Sequence, residues 1–440
     1  MAVEIGKKSQ DVIKRDKQII ITTTREPYPL VVDSAKGDYI YDVSGNKFID
    51  FTSFIDVYNF GDNEAQIVRN AIKNQIDKIM HAAFTDFYSE KPVKFAEDLL
   101  EMFPNGFGKV FFSNSGTEAN EAALKFSKLF TKRQYALSFY GAFHGRTMGS
   151  LSLTASKTVQ RKHFGPFNSV VHAPYAYCYR CPFGKEYPSC GMACVDHIKK
   201  YTFKNDVAPS EVAAIFMEPV QGEGGFIVPP VEFVKGVREI ASDNGILLVD
   251  DEVQAGYMRT GKFLALSNFK VEADIYTMAK AMGGGMPMGA TITRTSLGNI
   301  PAGSHANTFG GNIAVIAGAE ALLKHVKQNQ KHLEENAIQK GKIIMKRLNE
   351  MKEKYEIVGD VRGLGLMIGV ELVTNKKTKE PAIREREEVL NKCFYNGLVL
   401  LPAGESTIRI VPALTISKST LENGLDILED AIKQANGRRK

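Results

Sequence analysis

The chain has 440 residues and is 44% hydrophobic, 24% charged and 10% aromatic; this allows a large buried core and excludes a peptide hormone, a small disulfide scaffold or a single binding module. Its formal net charge of +6 comes from scattered lysines and arginines with one short basic run, Gly437-Arg438-Arg439-Lys440, so neither nucleic acid nor a membrane is demanded as a partner. Residues 1–18 carry charges throughout, no apolar run approaches the ~18 residues of a membrane span, and five cysteines are too few for a secreted disulfide framework; a cytoplasmic protein is expected.

In chain order, the first elements read as a small β-meander. Leu30-Val31-Val32, Tyr39-Ile40-Tyr41 and Phe48-Ile49-Asp50-Phe51 are strand candidates, with turn signals at Lys36-Gly37-Asp38 and Ser44-Gly45-Asn46. From about residue 65 to 320 helices alternate with short apolar strands: Lys109-Val110-Phe111-Phe112, Tyr135-Ala136-Leu137-Ser138-Phe139, Val212-Ala213-Ala214-Ile215-Phe216-Met217 and Ile246-Leu247-Leu248-Val249. Continuous apolar strands between helices indicate a largely parallel sheet covered on both faces. Within this region Cys178-x2-Cys181-x8-Cys190-x3-Cys194 has the paired short spacings of a tetrahedral zinc site, or belongs to a surface insertion with incidental or redox-sensitive thiols. Leu322, Val326, Leu333, Ala337, Ile344, Leu348 and Met351 recur at helical spacing and predict a long amphipathic helix. A smaller α/β unit follows, with strand candidates around 365–371, 398–401 and 407–411 and a closing helix carrying Leu421, Leu425, Leu428 and Ile432 on one face. Charge-rich residues 375–388 read as a solvated loop and helix start.

Three segments carry chemistry. Ser113-Asn114-Ser115-Gly116-Thr117-Glu118-Ala119-Asn120-Glu121 is a tight turn into a helix; Ser115 and Glu118 have capping-box spacing, which leaves backbone N–H groups and a helix dipole at Gly116 and Thr117 where a phosphate can bind. It is no Walker loop, since no Gly-Lys-Ser/Thr follows. The second, Ile246-Leu247-Leu248-Val249-Asp250-Asp251-Glu252-Val253-Gln254, runs a buried strand into three acids, where open α/β sheets place ligands; without a neighbouring histidine a metal site there is discounted. The third places Lys280 in the apolar, Gly-rich run Tyr276-Thr277-Met278-Ala279-Lys280-Ala281-Met282-Gly283-Gly284-Gly285, as an exposed loop lysine or a desolvated amine able to form a Schiff base.

In this order, with Phe143-His144-Gly145-Arg146-Thr147 and Glu218-Pro219-Val220-Gln221-Gly222-Glu223-Gly224-Gly225 between them, the segments resemble the class III aminotransferases over nearly the whole chain. The resemblance implies an α/β protein of pyridoxal 5'-phosphate fold type I. Its large domain has a central, mostly parallel seven-stranded sheet covered by helices, and a smaller α/β domain is built from both termini. The expected boundaries are 1–64, 65–325 and 326–440. It implies that Lys280 holds pyridoxal 5'-phosphate as a covalent aldimine and then moves the proton of the substrate adduct. Asp251 would pair with the pyridine nitrogen and keep the ring an electron sink. Ser115, Gly116 and Thr117 would cradle the phosphate, with Thr308 supplied to it by a neighbouring subunit; a homodimer, alone or as a dimer of dimers, would follow. Phe143 and Val253 would flank the ring, Gln254 would bond its phenolic oxygen, and His144 and Glu218 would complete the cofactor-binding set.

For the substrate, the resemblance pairs Glu223 with Arg409 as a gate that opens for a dicarboxylate, with Arg146 for the second carboxylate, which suits 2-oxoglutarate and glutamate. Ile55 falls where 4-aminobutyrate-type enzymes carry an apolar residue, so an ω-amino acid donor and a ping-pong reaction are expected. The chain departs from the family at Phe54-Ile55-Asp56-Val57 and Gly61-Asp62-Asn63, where added bulk and charge could receive a second amino group. An ornithine, acetylornithine or diamine-type aminotransferase is therefore an alternative, as is an amino-acid racemase or epimerase, which needs the same Lys280 and Asp251.

Overall fold

A computed structural model describes residues 3–23 and 28–437; the basic run from Arg438 onward lies outside them. The chain forms two compact units, Met1–Asn63 with Asn336–Lys440 and Glu64–Glu335. Among the described residues no helix is long and apolar enough to cross a membrane.

The smaller unit opens with an antiparallel meander, β1 (Val32–Lys36), β2 (Tyr39–Asp42) and β3 (Lys47–Asp50). Its two turns fall where Gly37 and Gly45 supply left-handed φ values of 59° and 87°. The first strand begins only at Val32, not at Leu30, because β1 is a fully exposed edge strand that apolar residues do not mark.

The larger unit contributes β4 (Phe107–Ser113), β5 (Tyr135–Phe139), β6 (Val170–Ala173), β7 (Val212–Met217), β8 (Leu247–Asp251), β9 (Ile275–Ala279) and β10 (Gly289–Arg294). They form one seven-stranded sheet in the order β4-β10-β9-β8-β7-β5-β6. β10 runs antiparallel to both neighbours; the remaining pairs are parallel. Every residue of β7 and β9 is buried, which is why these strands read as unbroken apolar runs and not as alternating ones. Ala214, Phe216, Val249 and Ile275 meet Ala123, Leu124 and Leu153 from the covering helices in one core; each large apolar side chain so buried stabilises the unit by about 1.5–3 kcal/mol. The helix Gly116–Thr131 can lie close to the sheet because its inward face is Ala119, Ala122 and Ala123.

The predicted long helix spans Ile313–Lys354, and all seven apolar residues that predicted it are buried. It leaves helical geometry at Asn329 (φ −115°), whose side-chain amide donates to the His325 carbonyl at 2.9 Å, a local bond that competes with the helical ladder. The smaller unit then adds β11 (Val358–Leu364), β12 (Met367–Leu372), β13 (Leu398–Val399), β14 (Leu401–Ala403) and β15 (Thr407–Ile410). β11-β12-β15-β14 form an antiparallel sheet, and β13 extends the meander beside β3. β11 was not foreseen. Gly359, Asp360, Arg362 and Gly363 hide it in the sequence; the antiparallel ladder and the ion pair from Arg362 to Glu371 (2.7 Å) hold it against β12, and Arg362 also pairs with Asp360 within the strand (2.9 Å).

After β3 the chain makes a turn of four consecutive non-glycine residues in left-handed backbone, Ser53–Asp56, with φ between 46° and 63°. Asp50 Oδ1 accepts from the Thr52 and Ser53 amides, Thr52 Oγ1 accepts from the Phe54 amide, and Ser53 Oγ donates to the Val411 carbonyl at 2.6 Å. These bonds fix a conformation that costs an L-residue about 1–2 kcal/mol. Ile55 is β-branched, 46% exposed and at φ 63°, so packing compensates it least. Ile55→Gly is expected to stabilise the fold by about 1 kcal/mol once glycine's own backbone entropy is counted. Chemical denaturation checks this, and a loss of stability would show that the side chain contributes more than the strain costs.

Candidate active site

The larger unit gathers its polar side chains at the carboxyl ends of β8 and β9. Asp251 is the last residue of β8 and is buried, 3% exposed. Its Oδ2 accepts from His144 Nδ1 and from Asn120 Nδ2, both at 2.7 Å, and its Oδ1 accepts from the Val253 amide at 3.0 Å. Asn120 is itself fixed, donating also to the His144 carbonyl (2.8 Å) and accepting from Thr277 Oγ1 (2.9 Å). A carboxylate can only accept, so His144 presents its Nδ1 proton to Asp251; its Nε2 is buried with no hydrogen-bond partner among the described residues.

Thr277 on β9 stands opposite Asp251 in register, and Lys280 leaves the end of β9 three residues later. Lys280 has φ 47°, a left-handed corner that a non-glycine residue adopts at a cost and that is concentrated at functional sites. The chain thus turns out of the sheet at the carboxyl end of β9, the strand that pairs with β8.

The turn before the helix Gly116–Thr131 is capped as its spacing predicts. Ser115 Oγ accepts from the Glu118 amide at 3.3 Å, while the Glu118 carboxylate reaches the amide and side chain of Asn114 (2.7 and 2.9 Å), one residue earlier than in a regular capping box. A Cβ on Gly116 would lie 2.7 Å from Val253; only glycine lets the first helical amides approach the loop after β8. Thr117 Oγ1 lies in a hydroxyl cluster with Thr147 (2.8 Å) and Ser150.

Around this centre, Glu218 is buried and clamps two backbone amides, those of Phe143 (2.8 Å) and Gly222 (2.9 Å); burial pushes its carboxyl up to about 7. Gln254 lies against Gly222, where a Cβ would meet its Oε1. The Arg146 guanidinium is exposed and sits 5.5 Å from the Phe143 ring. Glu223 pairs with Lys157 at 2.6 Å. Thr308 is exposed on a loop tied to β4 by Asn307 Nδ2, which donates to the Phe112 carbonyl at 2.9 Å. In the smaller unit, Arg409 on β15 is buried and donates from Nε to the Pro402 carbonyl at 3.0 Å. The Ser53–Val411 bond brings the turn carrying Ile55 to the end of that strand.

Sequence reasoning missed Asn120, Thr277 and Lys157. Asn120 had a signal, a polar residue on the Ala119/Ala122/Ala123 face of its helix; Lys157, 66 residues from Glu223, had none. The four clustered cysteines line one small cavity of about 20 Å³. Among the described residues no group of three or more His, Cys, Asp or Glu is placed to hold a metal. Burial raises the thiols of Cys178 and Cys194, the latter to about 11.

Residues 20–432 match the family described as aminotransferase class-III. The chain belongs to this family. It is 40% identical over 427 residues to a leucine/methionine racemase of Thermococcus litoralis, covering 97% of this chain and 96% of that protein. It is 36% identical to a probable 4-aminobutyrate aminotransferase of Bacillus subtilis, covering 90% and 92%. Among solved structures, the taurine:2-oxoglutarate aminotransferase of Bifidobacterium kashiwanohense, in complex with PLP and glutamate, superposes with a TM-score of 0.91 at 25% identity and full coverage of both chains. The large unit is therefore the class III aminotransferase sheet of fold type I, and the family identifies pyridoxal 5'-phosphate as the cofactor.

Asp251 is flanked in sequence by two further buried acids, Asp250 and Glu252. Burial raises the carboxyls of both Asp250 and Glu252; the neighbouring Glu252 raises Asp250 further, while the hydrogen bond with Asp250 draws Glu252 back down. The folded protein keeps these protons to higher pH than the unfolded chain, so the stability they contribute is full below the unfolded carboxylate range and is lost as pH rises through the folded values. Glu252→Gln preserves an oxygen for the Leu266 amide, which Glu252 accepts at 3.0 Å. The variant is expected to show a shallower fall in melting temperature between about pH 4.5 and 7 than the parent, by a few degrees. Thermal melts across that range decide it; identical pH profiles would assign the dependence to other groups.

Proposed function

We propose that the protein is an aminotransferase that moves the amino group of an ω-amino acid of the 4-aminobutyrate type to 2-oxoglutarate by a ping-pong reaction. One observation carries the reading: Asp251, buried at the end of β8, keeps acceptor capacity beyond its three hydrogen bonds, and Lys280 turns out of the adjacent β9 in left-handed backbone. A carboxylate offers about four lone-pair positions, so Asp251 can still accept the N–H of a protonated pyridine. When bound, pyridoxal 5'-phosphate supplies an electron sink for the charge left when the carbon bearing the amino group loses its proton.

The chain's own residues divide the remaining work. Lys280 would hold the cofactor covalently and, once displaced by substrate, carry the proton to and from the carbon that bears the amino group, the ω carbon of the donor and Cα of glutamate. The first amides of the helix Gly116–Thr131, with Ser115 and Thr117, would hold the phosphate at a helix N-terminus. Phe143 and Val253 would enclose the ring, Gln254 would orient its oxygen, and His144 and Asn120 would fix Asp251. Glu218 would set the Phe143 and Gly222 backbone around it. Arg146, Glu223, Arg409 and Ile55 are the proposed substrate-reading residues, the arginines for the carboxylates of a 2-oxo acid such as 2-oxoglutarate.

Thr308 is read as the phosphate ligand given to a neighbouring subunit in a homodimer. Exposure of Phe87 (68%), Met80 (64%) and Phe309 (59%) supports a covered apolar face. The reading places the enzyme in the cytoplasm, which its five free cysteines support.

The 40% identity to a leucine/methionine racemase favours a second reading, racemisation of an apolar amino acid. One experiment separates the two. Cofactor-loaded enzyme is mixed with 4-aminobutyrate, glutamate, ornithine, leucine or methionine without a 2-oxo acid, and 2-oxoglutarate is then added. The expected result is loss of the visible cofactor band with an ω-amino acid and its return with 2-oxoglutarate. Persistence of the band while the optical activity of leucine or methionine decays would replace this reading with the racemase. Lys280→Ala is expected to abolish both signals and to prevent borohydride from fixing the cofactor to the chain; cofactor fixed elsewhere would remove Lys280 from its role.

Asp251→Asn keeps a side chain that His144 and Asn120 can hold but removes the negative charge. Turnover is expected to fall by at least about a hundredfold, a loss of roughly 3 kcal/mol in transition-state stabilisation, with the cofactor still bound by absorbance. Near-normal turnover would assign the role to another acid.

A further inference from the structure

In the larger unit, three helices each turn one face toward a common cleft of about 660 Å³. Lys91, Lys94 and Asp98 come from the helix Glu90–Leu100; Ala317, Glu320, Ala321, Lys324 and Lys327 come from Ile313–Lys354. The helix Asp62–Ile76 presents Ala71, and Lys78 follows just past its end. The three- and four-residue spacings put each set on one side of its helix. This is where packed helices bring large apolar residues together; here the floor is alanine and the walls are lysine.

Five lysines face two carboxylates in the cleft. Lys91 pairs with Glu320 at 3.1 Å, and Lys327 with Asp98 and, beyond the rim, Glu101 at 3.4 and 2.6 Å. Lys78, Lys94 and Lys324 are exposed and make no ion pair among the described residues. Like charges gathered around one concavity repel unless an anion enters it. No arginine lines the cleft, so the guanidinium fork that reads planar carboxylates is missing, and flexible ammonium groups acting as point charges suit the spread charge of phosphates. The volume lies within the range of small-molecule sites, about 300–1,000 Å³.

We propose that this cleft binds a small molecule carrying two or more linked phosphate groups, at a site separate from the one that holds the cofactor. Lys78, Lys94 and Lys324 supply its principal contacts, and the paired Lys91 and Lys327 shape the rim.

Enzyme fully loaded with pyridoxal 5'-phosphate, so that its phosphate cradle is filled, is titrated calorimetrically with tripolyphosphate and, separately, with inorganic monophosphate. One tripolyphosphate is expected to bind per chain, at least about tenfold more tightly than monophosphate and more weakly as salt is raised. Lys78→Gln/Lys94→Gln/Lys324→Gln is expected to weaken it by about tenfold or more, as the loss of three exposed charge contacts implies. The variant should leave the cofactor band and the ligand-free melting temperature unchanged; if it does not fold, Lys324→Gln alone is expected to weaken binding severalfold. Absence of tripolyphosphate binding below about 1 mM, or equal binding by parent and variant, would overturn the proposal. So would a short oligonucleotide that outcompetes tripolyphosphate on the parent and not on the variant, since the cleft would then serve nucleic acid.

Discussion

The candidate active site depends on one buried carboxylate. A charge taken out of water is tolerated only when hydrogen bonds replace its hydration, and Asp251 receives three from groups on separate elements: His144 after β5, Asn120 on the helix Gly116–Thr131 and the Val253 amide just past β8. Each donor is held in turn. Thr277 orients Asn120, Asn120 also donates to the His144 backbone, and Thr154 Oγ1 accepts from the His144 amide at 2.9 Å. The network draws the helix, the strand ends and the loop after β5 to one point.

That convergence explains the local backbone. The helix reaches the loop after β8 only because Gly116 has no Cβ to meet Val253. Glu218 binds two amides, and a buried carboxylate used in this way sets loop geometry. Lys280 in left-handed backbone and the left-handed turn Ser53–Asp56 are places where structure is held against local preference. Strain of this kind persists only where surrounding bonds over-determine it, as Asp50, Thr52 and Ser53 do for the turn.

Regions buried on both faces were legible from the sequence. β5 and β7 were read to the residue, since continuous apolar runs between helices leave few other solutions. The long helix was legible through its heptad-like apolar spacing. β1 was misplaced because an exposed edge strand needs no apolar pattern, and β11 was missed because glycines and charged residues break its apolar run, its place being set by pairing with β12 and the Arg362–Glu371 ion pair. The paired cysteine spacing marked residues that the fold does bring together, around one small cavity.

The sequence by itself determined the family, the order of the elements and the residue types of the site, because these are carried by short contiguous motifs whose local geometry follows from spacing. Only the tertiary structure decided which groups meet. Asn120 and Asp251 are 131 residues apart, and Lys157 and Glu223 are 66 apart; the lysine cleft draws on three helices separated in the chain. Contacts of that range are fixed by how strands order in a sheet and how helices cover it, and no local pattern encodes either.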